Sequence, residues 1–181
     1  MQQQLAMIHT DGSVSRNPGG KGGWSFILRI GLDEIERCGS IPAPSTCNRA
    51  EMMGVIEALK LLKEYGRPYN IELFSDSEYV LDGIAYMDRW AAKGWRTTYQ
   101  TEVKNRDLWT ELLELSRPHT IVCSWVEGHS GDFYNERCHT LANQMAMGSS
   151  MEWVLPAIPR RKPKLFGNHA PTEQDIHSIH K

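Results

Sequence analysis

The chain has 181 residues, 40% of them hydrophobic, which is enough for one domain of ordinary size with a real core. Its formal net charge of −2 excludes nucleic-acid binding by bulk positive charge, so any such contact must come from local patches. No run of some twenty apolar residues occurs and Met1 to Ala6 lacks the layout of a signal peptide, so a soluble, cytoplasmic protein without a membrane partner is expected.

Leu5 to His9 reads as a short strand running into the turn-rich Thr10-Asp11-Gly12-Ser13 and Asn17-Pro18-Gly19-Gly20, which would place Asp11 at its C-terminal end. Trp24 to Ile30 and Glu34 to Cys38 read as two more strands of an antiparallel meander, closed off by Pro42 and Pro44. From Asn48 to Tyr65 the residues Met52, Val55, Ile56, Leu59 and Leu62 recur at helical spacing, with Gly66 and Pro68 as stop signals. Ile71 to Ser75 is an apolar strand, followed by a helix from near Ser77 and a second from Lys104 to Leu115. Ile121 to Val126 is a further strand, and Asn135 to Met147 a helix with Cys138, Leu141, Ala142 and Met145 on one face. The order is three strands, helix, strand, two helices, strand, helix: an α/β pattern in which strand-then-helix order implies parallel pairing in the second half.

One folded unit is expected to span residues 1–149. Beyond about residue 150 the periodicity fails, and Pro156, Pro159, Pro163 and Pro171 accompany Arg160-Arg161-Lys162 and Lys164, so residues 150–181 read as a Pro-rich, basic tail with little fixed structure. The four cysteines, Cys38, Cys47, Cys123 and Cys138, form no CxxC pair and read as reduced core or helix residues.

Asp11 and Asp76 stand at predicted strand ends, where sites assemble in α/β folds, and Glu51 in the first turn of the long helix borders its apolar stripe. Taken singly, each is ordinary: a turn aspartate, a residue at a helix N-cap, a glutamate suited to the helix dipole. Gathered together, three carboxylates would repel, and divalent cations that prefer oxygen ligands would remove that cost, which suggests Mg²⁺ or Mn²⁺. Two such ions about 4 Å apart can activate water and stabilise the leaving oxygen of a phosphodiester.

The segments Thr10-Asp11-Gly12-Ser13, Asn17-Pro18-Gly19, Asn48-Arg49-Ala50-Glu51, Ser75-Asp76-Ser77 with Tyr79-Val80, Gly128-His129-Ser130-Gly131 and Asn135-Glu136-Arg137-Cys138 occur in this order. Together with Val103-Lys104-Asn105 and Asp107-Leu108-Trp109 they span about residues 4 to 147, and over that stretch the chain resembles the type 1 ribonuclease H family. The resemblance implies a five-stranded mixed sheet flanked by helices, and an endonuclease that cuts the RNA strand of RNA–DNA hybrids with two divalent cations, acts as a monomer and leaves 5′-phosphate ends. It implies Asp11, Glu51 and Asp76 as metal ligands and His129 in proton transfer and product release. Where the family has a fourth acidic residue this chain has His139, whose ring flanks the helix face and is expected to join the metal set. An imidazole donor suits Mn²⁺ better than Mg²⁺, so Mn²⁺ is expected to be favoured.

By the same resemblance, Asn17, Thr46, Cys47 and Asn48 line the surface that senses the 2′-hydroxyl, with Cys47 replacing a polar residue common in the family. Trp90, Lys93, Trp95 and Arg96 belong to a basic stretch resembling the family's DNA-strand grip, which would make cutting largely independent of sequence; each tryptophan alone would equally suit a core position. Two other functions are open to these residues: a hybrid-binding module whose metal site failed with the fourth carboxylate, or a nuclease of the same fold acting on DNA.

Overall fold

The computed structural model describes residues 3–148; the tail expected over 150–181 lies outside them. The elements are β1 (Gln4–Val14), β2 (Gly22–Ile30), β3 (Asp33–Ile41), α1 (Cys47–Glu64), β4 (Tyr69–Ser75), α2 (Glu78–Ala92), α3 (Arg106–Ser116), β5 (Thr120–Trp125) and α4 (Phe133–Ala146). Their order is the one read from the sequence. The five strands form one mixed sheet, β3-β2-β1-β4-β5, in which β1, β2 and β3 pair antiparallel while β4 lies parallel to both β1 and β5.

Several element boundaries differ from the sequence reading, and two of the differences have a clear physical reason. β1 does not end before Asp11 but runs through Gly12 to Val14, because β2 continues to pair with it as far as Val14 and Gly22. The parallel partner β4 stops earlier, at the pair His9 and Phe74. Asp11 therefore sits inside β1 but past the end of β4, where side chains from either side of the sheet can meet. The helix predicted from Lys104 starts instead at Arg106, since Asn105 takes a left-handed conformation (φ 56°) that no α-helix accepts.

α1 covers one face of the sheet. Ala6, Ile8, Phe26, Leu28, Ile71 and Leu73 from the strands meet Met52, Val55, Ile56, Leu59 and Leu62 from the helix in one buried core. The periodic stripe read from the sequence is thus the core face of α1. Gly54 brings the helix close: a Cβ there would come within 2.8 Å of the Ser25 carbonyl oxygen. α2 and α3 extend this layer through Trp109, fully buried and seated over Gly83, where a Cβ would lie 2.0 Å from the indole.

α4 lies on the opposite face, over β1 and β2. Here Gly23 allows the approach, because a Cβ would stand 2.1 Å from the Ala142 carbonyl oxygen. Ser25 Oγ donates to the Cys138 carbonyl at 2.8 Å and Cys138 Sγ donates to the His9 carbonyl at 3.4 Å, which fixes α4 along β1. A bidentate pair of Arg137 with Glu36 on β3 holds the outer side of the same helix. All four cysteines are free thiols, as expected. Among the described residues no helix is long and apolar enough to cross a membrane.

Candidate active site

Asp11, Glu51 and Asp76 come together, with one carboxylate oxygen from each lying within 4.8 Å of the others. Three elements deliver them. Asp11 projects from β1 past the end of β4, Glu51 stands in the first turn of α1, and Asp76 follows directly on Ser75, the last residue of β4. Two glycines make the convergence possible. A Cβ on Gly12 would fall 2.1 Å from the Glu51 backbone nitrogen, and one on Gly128 would fall 2.7 Å from Asp76 Oδ2. Only a residue without a side chain lets β1 and the loop before α4 approach this closely.

The group is electrostatically unfavourable as it stands. Asp11 is 2% exposed, and burial followed by the Asp76 charge raises its carboxyl above the usual range, against the opposing pull of His139. Burial, then the charges of Asp11 and Asp76, push the Glu51 carboxyl well above its ordinary value. Glu51 Oε2 is sealed from solvent and has no hydrogen-bond partner. Buried acidic oxygens are otherwise almost always partnered, so this set fits hard divalent cations, which would both neutralise the charge and occupy that oxygen.

His139 reaches the same place from α4. Its Nδ1 lies 2.8 Å from Asp11 Oδ2 and its Nε2 lies 2.7 Å from Asn143 Nδ2, so both ring nitrogens are engaged. It adjoins the carboxylates through Asp11. His129, exposed on the loop before α4 with φ 58°, sets its ring edge-on to His139, the centroids 4.5 Å apart. The two histidines expected at the site are therefore neighbours.

Around the start of α1, Thr46 caps the helix by accepting from the Arg49 backbone nitrogen, and Asn17 Oδ1 accepts from the Cys47 nitrogen at 3.3 Å. Asn48 is exposed beside them. All four residues assigned to the 2′-hydroxyl surface thus share one rim, a turn away from Glu51. The Cys47 thiol is raised by burial and then by Asp11, so it is held neutral.

The basic stretch divides. Lys93 and Arg96 are exposed. Trp95 is 8% exposed and belongs to the core, while half-buried Trp90 packs edge-to-face on Trp109. The structure thus gives the two indoles the core role that the sequence left open. The segment between α2 and α3 folds back on itself, with Val103 N donating to the Trp95 carbonyl at 3.0 Å and Thr97 N to that of Thr101 at 2.9 Å. At its base, Arg49 grips Asp107 with both terminal nitrogens, at 3.0 and 2.7 Å, and Asn105 Oδ1 at 3.3 Å. This fork ties the start of α3 to the start of α1. The sequence reading did not anticipate it, nor Asn143, although Asn143 lies one helical turn after His139 on the same face.

The RNase H family model matches residues 3–147. A ribonuclease H of Cupriavidus pinatubonensis is 45% identical over 142 residues, covering 78% of this chain and 94% of the relative. A ribonuclease H of Polaromonas sp. is 48% identical over 145 residues, covering 78% and 88%. Among solved structures, LC9-RNase H1, described as a type 1 RNase H with the type 2 active-site motif, superposes with a TM-score of 0.71 at 28% identity, over 82% of this chain and 74% of its own.

Proposed function

The chain belongs to the ribonuclease H family, and from that premise we propose that it hydrolyses the RNA strand of RNA–DNA hybrids through divalent cations held by Asp11, Glu51 and Asp76. The observation that carries the reading is the three-carboxylate cluster, with Asp11 buried and one Glu51 oxygen sealed from solvent without a partner. An all-oxygen set of this kind suits Mg²⁺ or Mn²⁺. When bound, such cations activate water and stabilise the departing 3′-oxygen of the phosphodiester. Water oxygen joins phosphorus, the bond to the 3′-oxygen breaks, and a 5′-phosphate and a 3′-hydroxyl result.

The chain's own groups supply position and protons. The rim of Asn17, Thr46, Cys47 and Asn48 offers polar groups to the RNA sugar, one turn from Glu51. Lys93 and Arg96 offer positive charge to the DNA strand, which holds phosphates without reading bases. Trp90 and Trp95 act behind them by anchoring that segment to the core. His129, exposed at the rim, can carry a proton to or from the reacting groups. We infer that the chain acts as a monomer, and four free thiols fit the reducing cytoplasm.

The test is cleavage of a labelled RNA–DNA hybrid in Mg²⁺ and separately in Mn²⁺, with duplex DNA and duplex RNA as controls, for the native chain and Asp11→Asn. Cleavage of the hybrid alone, lost in the variant, is the expected result. Binding without cleavage in either metal would favour a hybrid-binding module, and cutting of duplex DNA would favour a DNA nuclease.

A further inference from the structure

The fourth side chain of the site is held from both ends. His139 Nδ1 faces Asp11 Oδ2 at 2.8 Å, and Nε2 faces the Asn143 amide nitrogen at 2.7 Å. Asn143 Oδ1 accepts in turn from Ser13 Oγ, on β1 two residues beyond Asp11. An amide nitrogen only donates, so the Nε2 it faces must present its lone pair. A neutral imidazole with its lone pair on Nε2 carries its proton on Nδ1, and Asp11 accepts that proton. Ser13, Asn143 and His139 therefore donate in one direction, ending on Asp11 Oδ2. The other oxygen of Asp11, Oδ1, accepts from the Gly12 backbone nitrogen at 2.6 Å. Both oxygens are thus oriented by the protein, and each keeps a lone pair for another partner.

We infer that His139 serves as a hydrogen-bond donor that positions Asp11, with Asn143 and Ser13 as positioning residues that fix its tautomer, rather than as a fourth ligand of the cation. The inference rests on the reading that Asp11, Glu51 and Asp76 hold that cation. The His129 ring abuts His139 at 87° and 4.5 Å and opposes rotation of the ring toward the cation, while the Arg137 to Glu36 fork and the bonds of Cys138 to Ser25 and His9 hold the α4 backbone in place. For His139 to bind a metal through Nδ1 it would have to lose the proton it gives Asp11; through Nε2, it would have to leave Asn143. A neutral donor at this position also leaves the site with the charge of three carboxylates instead of four, without leaving Asp11 Oδ2 free to swing.

The experiment is nitrogen-detected imidazole NMR of the full chain at about pH 8, with the His139 signals assigned by their absence in His139→Gln. The expected pattern is a protonated Nδ1 and an unprotonated Nε2, unchanged as Mg²⁺ is added to saturation. Asn143→Leu is expected to lower kcat about tenfold with KM for the hybrid unchanged, as loss of a group orienting the site does. Loss of the Nδ1 proton on adding Mg²⁺, or a proton on Nε2 of the native chain, would overturn the inference. The nitrogen pattern is read without turnover, so failure of hybrid cleavage would sink the functional reading and leave this one separately decided. Should Asn143→Leu not fold, the native chain alone still decides.

Discussion

The backbone of Gly12 and the backbone nitrogen of Glu51 are so close that a single added carbon on Gly12 would lie 2.1 Å from that nitrogen. The contact is between β1 and the first turn of α1, and both chains are backbone there, so neither can move aside cheaply. Gly12→Ala is expected to destabilise the fold by about 3 kcal/mol or more, at the upper end of overpacking costs, and to separate Asp11 from Glu51. Urea unfolding measures the first effect and hybrid cleavage the second. A native-like unfolding midpoint would show that the approach is looser than the geometry implies.

Asp11 and Glu51 hold protons more tightly in the folded chain than in the unfolded one, because burial and mutual repulsion raise both carboxyls. Without divalent cations, the folded state then binds more protons over the range between the ordinary carboxyl values and the raised ones. Stability should fall as pH rises through that range, with the sign opposite to that of a salt-bridged carboxylate. Mg²⁺ at a hundredfold above its Kd should restore about 2.7 kcal/mol by mass action. Thermal melts across pH, with and without the cation, check both. In Glu51→Gln the metal-free pH slope should shrink while cleavage is lost, and an unchanged slope would speak against the cluster as its source.

His9 is a second buried titratable group. It is 5% exposed, stacked at 4.5 Å on Phe74 and tilted against Tyr134 at 4.6 Å, and neither ring nitrogen has a hydrogen-bond partner. Burial lowers its pKa from 6.5 to about 4, with Asp132 pulling the other way and Arg29 reinforcing the drop. Between those two values the unfolded chain binds the extra proton, so the native state loses stability as pH falls from 6.5 toward 4 and loses no more below that. With allowance for solvent screening, the loss is about 2 kcal/mol. His9→Phe keeps the stack without the proton, and the difference in unfolding free energy between it and the native chain should open only inside this window. A constant difference across pH would rule out the titration.

Lys93 and Arg96 should act on affinity rather than on chemistry. Removing either, as Lys93→Ala or Arg96→Ala, is expected to raise KM for the hybrid with kcat preserved, and to reduce the slope of log affinity against log salt by about 1 for each phosphate left without its cation. Hybrid binding measured across a salt series decides it. An unaltered slope would show that neither side chain neutralises a phosphate.

Much of this arrangement was legible in the order of residues, because its signals are local. The apolar stripe of α1 from Met52 to Leu62 is the observed core face, and all nine elements occur in the order that periodicity and turn residues indicate. What escaped reading depends on partners far along the chain. Asp11-Gly12 looks like a turn because aspartate and glycine are turn formers; β2 keeps it in a strand, and α1 accounts for the glycine. The fork from Arg49 to Asp107 joins residues 58 apart, and the reach of Asn143 to Ser13 spans 130. The burial of Trp95 follows from a fold-back whose bonds no composition rule indicates.

The four acidic and imidazole side chains of the site come from β1, α1, the end of β4 and α4, and the last of these is the final described element. A chain emerging from the ribosome folds from its beginning, and here the partial molecule lacks the helix that orients Asp11 until nearly all of the described residues have been made. The full set of site side chains is thus assembled only late in synthesis. A nascent fragment ending before α4 exposes the sheet face that Cys138 would cover and lacks the imidazole that meets Asp11.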